Sequence, residues 1–283
     1  MLGTAPIILK SGSLFALGGS EQSSEEVNEE ICRRKFQIGV RKEFAERPIG
    51  DVMVAIGSLF IGTPYIANSL EQPGSERLVI NLQALDCVTF VESTLALSRC
   101  IRLRQHCFDA YKEQLQLIRY RSGVIDEYPS RLHYFSDWIH DNTEKRVVQD
   151  VTKELGGIPY EKKIEFMSVH RSAYRQLADD NFLEAIGNTE TDLNQRARHF
   201  IPKQRLEEDL PAIRDGDIIA ITTSTDGLDI SHTGIAAHVN GTLKYLHAPL
   251  SNGTVQLTSG SLAEYLKMHK KQTGVMVARP TEP

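Results

Sequence analysis

No stretch of this 283-residue chain approaches the roughly 18 consecutive apolar residues that cross a membrane as a helix. Tryptophan occurs once, and aromatic residues make up only 7% of the chain. The four cysteines (Cys32, Cys87, Cys100 and Cys107) form no CxxC pair and no zinc-ribbon spacing. They are too few for a disulfide scaffold, although pairing among them stays open in an oxidising compartment. No HExxH is present. Basic residues are not in excess: the net charge is −5 and the pI near 6.0, which argues against nucleic acid as a partner. The one basic cluster, Arg99, Arg102 and Arg104, reads as a solvated helix face. The first residues contain a short apolar stretch broken by Lys10, without a basic region ahead of it, so no signal peptide is visible.

What is present is a hydrophobic share of 41% and a charged share of 24%, ordinary for a globular protein able to bury a substantial core. There is no internal repeat. Residues 1–25 read as a flexible arm, and 26–283 as one domain with a helical insertion around 108–210. Apolar residues at three- and four-residue steps predict helices between Glu26 and Phe60, ended by the turn Gly62-Thr63-Pro64-Tyr65. The run "ERLVINLQAL" predicts a short extended segment before Asp86. From Asp86 to about Gln105 the pattern is a helix apolar over an arc so wide that it must be buried. "SRLHYFSDWIHDN" predicts another helix, and "MSVHRSAYRQLADDNFLEAIGN" a further one. After Pro211 the pattern changes to short β-type runs separated by turn residues. Helices first and strands later imply an α+β fold with an antiparallel sheet.

The most specific local geometry is in "SHTGIAAHVNGTLKYLHAPL". Asn240-Gly241 between two β-type runs predicts a two-residue type I′ hairpin. That turn sets Val239 opposite Thr242, Ala237 opposite Lys244 and Gly234 opposite His247. With side chains alternating between faces, His232 and His247 become diagonal neighbours on one face. Gly234 is expected to leave open space beside both rings, and His238 to sit on the same face at the rim. Taken singly, each histidine also reads as an ordinary partly buried polar residue.

Cys87 follows Asp86, a good N-cap, and so opens a helix. A thiol there sees unpaired N–H groups and the positive end of the helix dipole, which favour the thiolate. A same-face histidine pair could supply a base and its orienter. Cys87 is therefore expected to be an activated nucleophile rather than a small buried hydrophobe.

"GTPY", "LDCVTFVE", "SHTGIA" and "LHAP" come in the order seen in the NlpC/P60 cysteine-hydrolase superfamily, which the chain resembles. The middle segment "RYRSGVIDEYPSRLHYFSDWIHDN" resembles its N-acetylmuramoyl-L-alanine amidase-like branch (DUF1460). The resemblance implies a papain-like fold, with the cysteine helix packed on an antiparallel sheet. Cys87 matches the nucleophile, His232 the general base and His247 the residue orienting that base. Val88 departs from the serine that follows the cysteine in many members. By the same resemblance the substrate is a peptidoglycan fragment and the location periplasmic or secreted. The reaction is hydrolysis of the muramoyl–L-alanine amide through a thioester, with a backbone N–H at the helix start holding the oxyanion. No cofactor or metal is implied. Arg119, Arg121 and Arg131 could pair with stem-peptide carboxylates. Tyr65, Tyr134 and Trp138 could stack on sugars, and His133 and Ser231 are further candidates for substrate contact. Each of these also has a plain surface or core reading. Three alternatives remain: a zinc amidase using His232, His238 and His247, a peptidase cutting within the stem peptide, and a catalytically silent wall-binding module.

Overall fold

The computed structural model describes residues 23–206, 212–251 and 253–283. The predicted N-terminal arm therefore lies outside the described residues up to 22, and the composition change at Pro211 does as well.

The first helix, α1 (Ser24–Arg41), starts at a capping box in which Ser23 and Glu26 satisfy each other's backbone N–H groups. It is followed by α2 (Ile49–Ser58), α3 (Cys87–Arg102), α4 (Phe108–Arg119) and α5 (Phe135–Glu144). Every residue of α3 from Thr89 to Ile101 is buried, as its wide apolar arc requires. Arg99 is part of that burial and bonds Gln114 at 2.8 Å, so the Arg99–Arg104 cluster is not uniformly solvated.

The middle of the chain, where a helical insertion is expected around 108–210, also holds short strands. It contributes β1 (Val148–Asp150), β2 (Ile158–Pro159) and β3 (His199–Pro202), with α6 (Phe166–Val169) and α7 (Asp180–Gln195) between β2 and β3. The single helix expected from Met167 to Asn188 is broken: Asp179 caps α7 by accepting the Asn181 N–H at 2.8 Å. Arg171 donates to the carbonyls of Leu177 and Ala178, which a continuous helix would have used. The run before Asp86 forms no strand. Side chains take up its backbone instead: Asn28 bonds Ile80 O and Leu82 N, and Tyr120 donates to Arg77 O.

The C-terminal part supplies β4 (Ile218–Thr223), β5 (Ile230–Val239), β6 (Thr242–His247), β7 (Gln256–Leu257), α8 (Leu262–Met268) and β8 (Gln272–Pro280). They complete an eight-stranded sheet of order β2-β3-β8-β4-β5-β6-β7, with β1 pairing the far half of β8. All of these pairs are antiparallel.

Both faces of the sheet are covered, which is why all six residues of β4 are buried and its first four, Ile218 to Ile221, are apolar without alternation. Ile218, Ala220, Ile235 and Leu246 pack under α1–α5, against Phe36, Met53, Leu95 and Trp138. Ile219, Ile221, Tyr245, Val275 and Val277 face the other way, under Leu262 and Leu266 of α8. A third cluster joins Tyr128 and Tyr134 to Met167, Ile186 and Leu193 under α6 and α7. Among the described residues, no helix is long and apolar enough to cross a membrane.

Candidate active site

The hairpin has the predicted register: Val239 pairs with Thr242, Ala237 with Lys244 and Gly234 with His247. Asn240 and Gly241 both have positive φ (52° and 78°), as a type I′ turn demands. His232 and His247 meet, His232 Nε2 lying 2.7 Å from His247 Nδ1 with the rings close to perpendicular. That hydrogen bond uses one nitrogen of each ring. If His232 donates through Nε2–H, its Nδ1 carries the free lone pair that a general base needs.

The space beside the rings is not open. A Cβ on Gly234 would lie 2.7 Å from Tyr245 Cε2 and 2.6 Å from Leu246 O. Glycine is needed there because the Tyr245 ring lies against the strand, edge-on to His232 (5.7 Å between centroids) and tilted against His247 (4.7 Å). Tyr245 is in turn fixed by its hydroxyl, which donates to Ile219 O.

Cys87 is the first residue of α3. Asp86 accepts the Thr89 N–H at 2.7 Å and the Thr89 hydroxyl accepts the Asp86 N–H at 2.9 Å, a reciprocal cap that sets where the helix begins. Thr233, the neighbour of His232, locks this helix start to the sheet: its hydroxyl donates to Cys87 O at 2.9 Å. Cys87 keeps partial contact with solvent. Its sulfur is within electrostatic reach of Tyr65, Tyr245 and Tyr265. Burial raises all three phenols, Tyr65 to about 12, and the Cys87 charge adds to the rise in each. Tyr245 and Tyr265 are also ring partners of His232 and His247. Tyr245 and Tyr265 thus contact both imidazoles and also feel the charge of the thiol.

The electrostatics correct the expected thiolate. Burial pushes the Cys87 thiol up to about 11, and the Asp86 carboxylate pushes the same way. Hydrogen bonds from Thr233 and the Val88 N–H oppose this without reversing it. Burial also depresses His232 to about 3, helped by His247 and His269, and His247 to about 4, helped by His269. At neutral pH the resting site is a neutral thiol beside two neutral imidazoles.

The remaining candidates separate. Tyr65 is within electrostatic reach of the sulfur. Arg131 is buried between Glu71 (2.7 Å) and Glu76 (3.2 Å), and Arg119 is buried against Glu92 at 2.7 Å. Arg121 pairs with Asp137 at 2.6 Å. These guanidinium groups already have carboxylate partners inside the protein. His133 donates through Nε2 to Tyr128 O at 2.9 Å, and burial holds its pKa well below the usual imidazole range. Tyr134 donates to Glu190 at 2.6 Å and accepts the Met167 N–H, a structural use of its hydroxyl. Trp138 is fully buried, stacked on Phe135 at 4.7 Å, and presents no face to a sugar. Ser231 is exposed and is the residue skipped by the register shift between β4 and β5, its hydroxyl donating to Ile221 O at 3.4 Å. His238, the third ligand of the zinc alternative, is at the rim and pairs with Asp215 at 2.8 Å. Among the described residues, no three His, Cys, Asp or Glu are placed to hold a metal ion.

Two cavities border this array. One, of about 200 Å³, starts at Asp86 and Val88 and runs past Glu92, Arg119, Arg131 and His133. The other, of about 330 Å³, is walled by His247 and Tyr265. Thr233, Tyr245 and Tyr265 were not marked by sequence reasoning. Tyr245 carried a signal in the hairpin register, which sets it on the face of His232 and His247, and Thr233 in its place beside His232; Tyr265 carried none.

An α+β protein whose sheet joins two hydrogen-bonded histidines and, through Thr233, a helix-opening cysteine has the parts of an acyl-transferring hydrolase. The chain belongs to the N-acetylmuramoyl-L-alanine amidase-like family (AmiA-like), which matches residues 55–275. It is similar to the N-acetylmuramoyl-L-alanine amidase of Bacteroides uniformis ATCC 8492, at 39% identity over 82% of this chain and 99% of that one, with a TM-score of 0.79. A Bacteroides fragilis protein provisionally described as a xylanase is also 39% identical, over 79% of this chain and 98% of that one (TM-score 0.75). A DUF1460 protein of Legionella pneumophila shares the fold at 22% identity, over 92% and 97% of the two chains (TM-score 0.68). No curated protein matched.

Proposed function

We propose that this protein is a cysteine-dependent amidase that cleaves the bond between N-acetylmuramic acid and L-alanine in peptidoglycan fragments. We read its site as a papain-like, NlpC/P60-type arrangement. The observation that carries the mechanism is the 2.7 Å His232–His247 hydrogen bond, with His232 next in the strand to Thr233, whose hydroxyl donates to the Cys87 carbonyl at the start of α3. The substrate is carried by family membership and by the B. uniformis relative.

Because thiol and imidazole are both neutral at rest, the proton moves during attack. His232 Nδ1 takes the Cys87 proton as sulfur adds to the amide carbonyl, and His247 accepts the Nε2–H that steadies the resulting imidazolium. The oxyanion faces N–H groups at the start of α3. Collapse breaks the C–N bond, the leaving amine takes the proton from His232, and the acyl group remains as a thioester on Cys87. Water, deprotonated by His232, then releases the acid and restores the thiol.

A glycosidase reading, as the B. fragilis description would suggest, needs two free carboxyl groups flanking the bond. Here Glu71 and Glu92, which line the cleft together with the capping Asp86, are engaged by Arg131 and Arg119. Mass analysis of products from a defined muropeptide tests the proposal. Release of an intact peptide starting with L-alanine is expected. A sugar product that retains L-alanine and D-glutamate would instead establish the stem-peptidase alternative.

A further inference from the structure

Three of the four cysteines take no part in the array at Cys87, yet the fold gathers them. Cys32 on α1 and Cys100 near the end of α3 are fully buried in the same apolar core. Cys107 is exposed at the N-cap of α4, where its thiol makes no capping hydrogen bond. Helices α1, α3 and α4 pack on one another. After Cys100 the chain doubles back: Arg104 takes a positive φ of 59°, and Gln105 donates its N–H to Cys100 O at 2.9 Å. His106 then lays its ring against Phe36 of α1, one turn along from Cys32 (5.7 Å between centroids). Cys32 is within electrostatic reach of both other thiols and feels Cys100 more than Cys107, while Cys100 feels Cys107. Cys100 therefore stands between a buried thiol and an exposed one.

We propose that Cys107 and Cys100 form a disulfide on oxidation, with Cys107 as the entry thiol, and that it staples the start of α4 to the end of α3. The oxidant is a small disulfide of the glutathione class. Of the three thiols only Cys107 is open to such a reagent, and its thiolate is the attacking species. The S–S bond of the reagent breaks, one small thiolate leaves, and a mixed disulfide remains on Cys107. Cys100 then gives its proton to solvent and attacks Cys107 Sγ, expelling the second small thiolate. The protein loses two electrons and two protons, and the reagent becomes two thiols. Burial lifts the Cys100 thiol to about 12, so this second step is the slow one and quickens as pH rises. Cys100 lies about 20 Å along α3 from Cys87, so the staple acts on the fold rather than on the reaction.

The native protein is held with excess oxidised glutathione at mildly alkaline pH until no further change in mass. It is then quenched in acid, and its remaining thiols are blocked with N-ethylmaleimide after unfolding. Trypsin cuts after Arg99, Arg102, Arg104 and Lys112, which puts the two cysteines on separate peptides. The expected product is Cys100–Arg102 joined by a disulfide to Gln105–Lys112, with Cys32 blocked by the maleimide. Cys107→Ser, an exposed change to a good N-cap, should leave Cys100 reduced under the same treatment, since nothing then carries the oxidant inward. Oxidation should raise the melting temperature of the wild type by roughly 3–6 °C, because a short loop is closed, and that of Cys107→Ser not at all. A wild-type protein that keeps glutathione on Cys107, links Cys107 to Cys32 or leaves Cys107 reduced overturns the pairing. Oxidation of Cys100 in Cys107→Ser overturns the entry role. An oxidised wild type that melts no higher than the reduced one overturns the staple.

Discussion

Cys87 stands at the first turn of α3 in a position that should favour its anion, yet burial and Asp86 lift its thiol to about 11. Alkylation by iodoacetamide should accordingly be slow at pH 6.5 and accelerate up to about pH 11. A fast reaction at pH 6.5 would mean a preformed thiolate–imidazolium pair. Cys87→Ser should still lose roughly 10⁴-fold or more in turnover, because nucleophile and base act as one unit. His232→Ala should lose a comparable amount and His247→Ala less, since His247 holds the base without touching the reacting carbonyl. Thr233 is a positioning residue: its hydroxyl holds the Cys87 carbonyl and favours the thiolate. Thr233→Val should reduce kcat roughly fivefold to tenfold and move the alkylation profile to higher pH, while Thr233→Ser restores both. An unmoved profile in Thr233→Val would assign that threonine to packing alone.

At the scale of elements, the hairpin of β5 and β6 carries the site, and its tolerance is set by Tyr245. The ring lies where a Gly234 side chain would go, while the pairing of Gly234 with His247 prevents the strand from moving away. Gly234→Ala should therefore cost about 1–3 kcal/mol through overpacking and displace His247 from His232. Thermal melting reads the first effect and turnover the second. A variant that melts and turns over like the wild type would show that Tyr245 can swing aside. The capping box at Asp86 does the same service for α3, fixing which residue is first in the helix and therefore where the sulfur emerges.

For the whole molecule, buried charge and buried imidazole set the conditions of stability. Arg119 and Glu92 join α4 to α3 with both side chains at most 3% exposed. Glu92→Ala would leave the guanidinium without its carboxylate, and about 3–5 kcal/mol should be lost in a denaturant titration. A change below 1 kcal/mol would show that water reaches Arg119. His232 and His247 have folded-state pKa values near 3 and 4, below the unfolded value of about 6.5. Between these limits the unfolded chain binds more protons than the folded one. The contribution of these two histidines to stability should fall as pH drops from about 6.5 towards 3, and be constant above. His247→Asn, which cannot titrate, should flatten that dependence in melting temperature against pH.

The α+β order, the hairpin, its register and the start of α3 were all legible in the chain, because each depends on neighbours in sequence. A type I′ turn sets a pairing, the period of two selects a face, and an N-cap selects a first helical residue. Only the tertiary structure decided what surrounds them. Trp138 turned inward, the cleft arginines met glutamates far off in sequence, and Tyr245 filled the space beside Gly234. Strands β1, β2 and β3, each two to four residues long, carry too little periodicity to be read without their partners. The thiol's acidity followed the same division. Helix dipole and cap are local and favour the anion, whereas desolvation is the sum of everything packed around the sulfur, and it exceeds them.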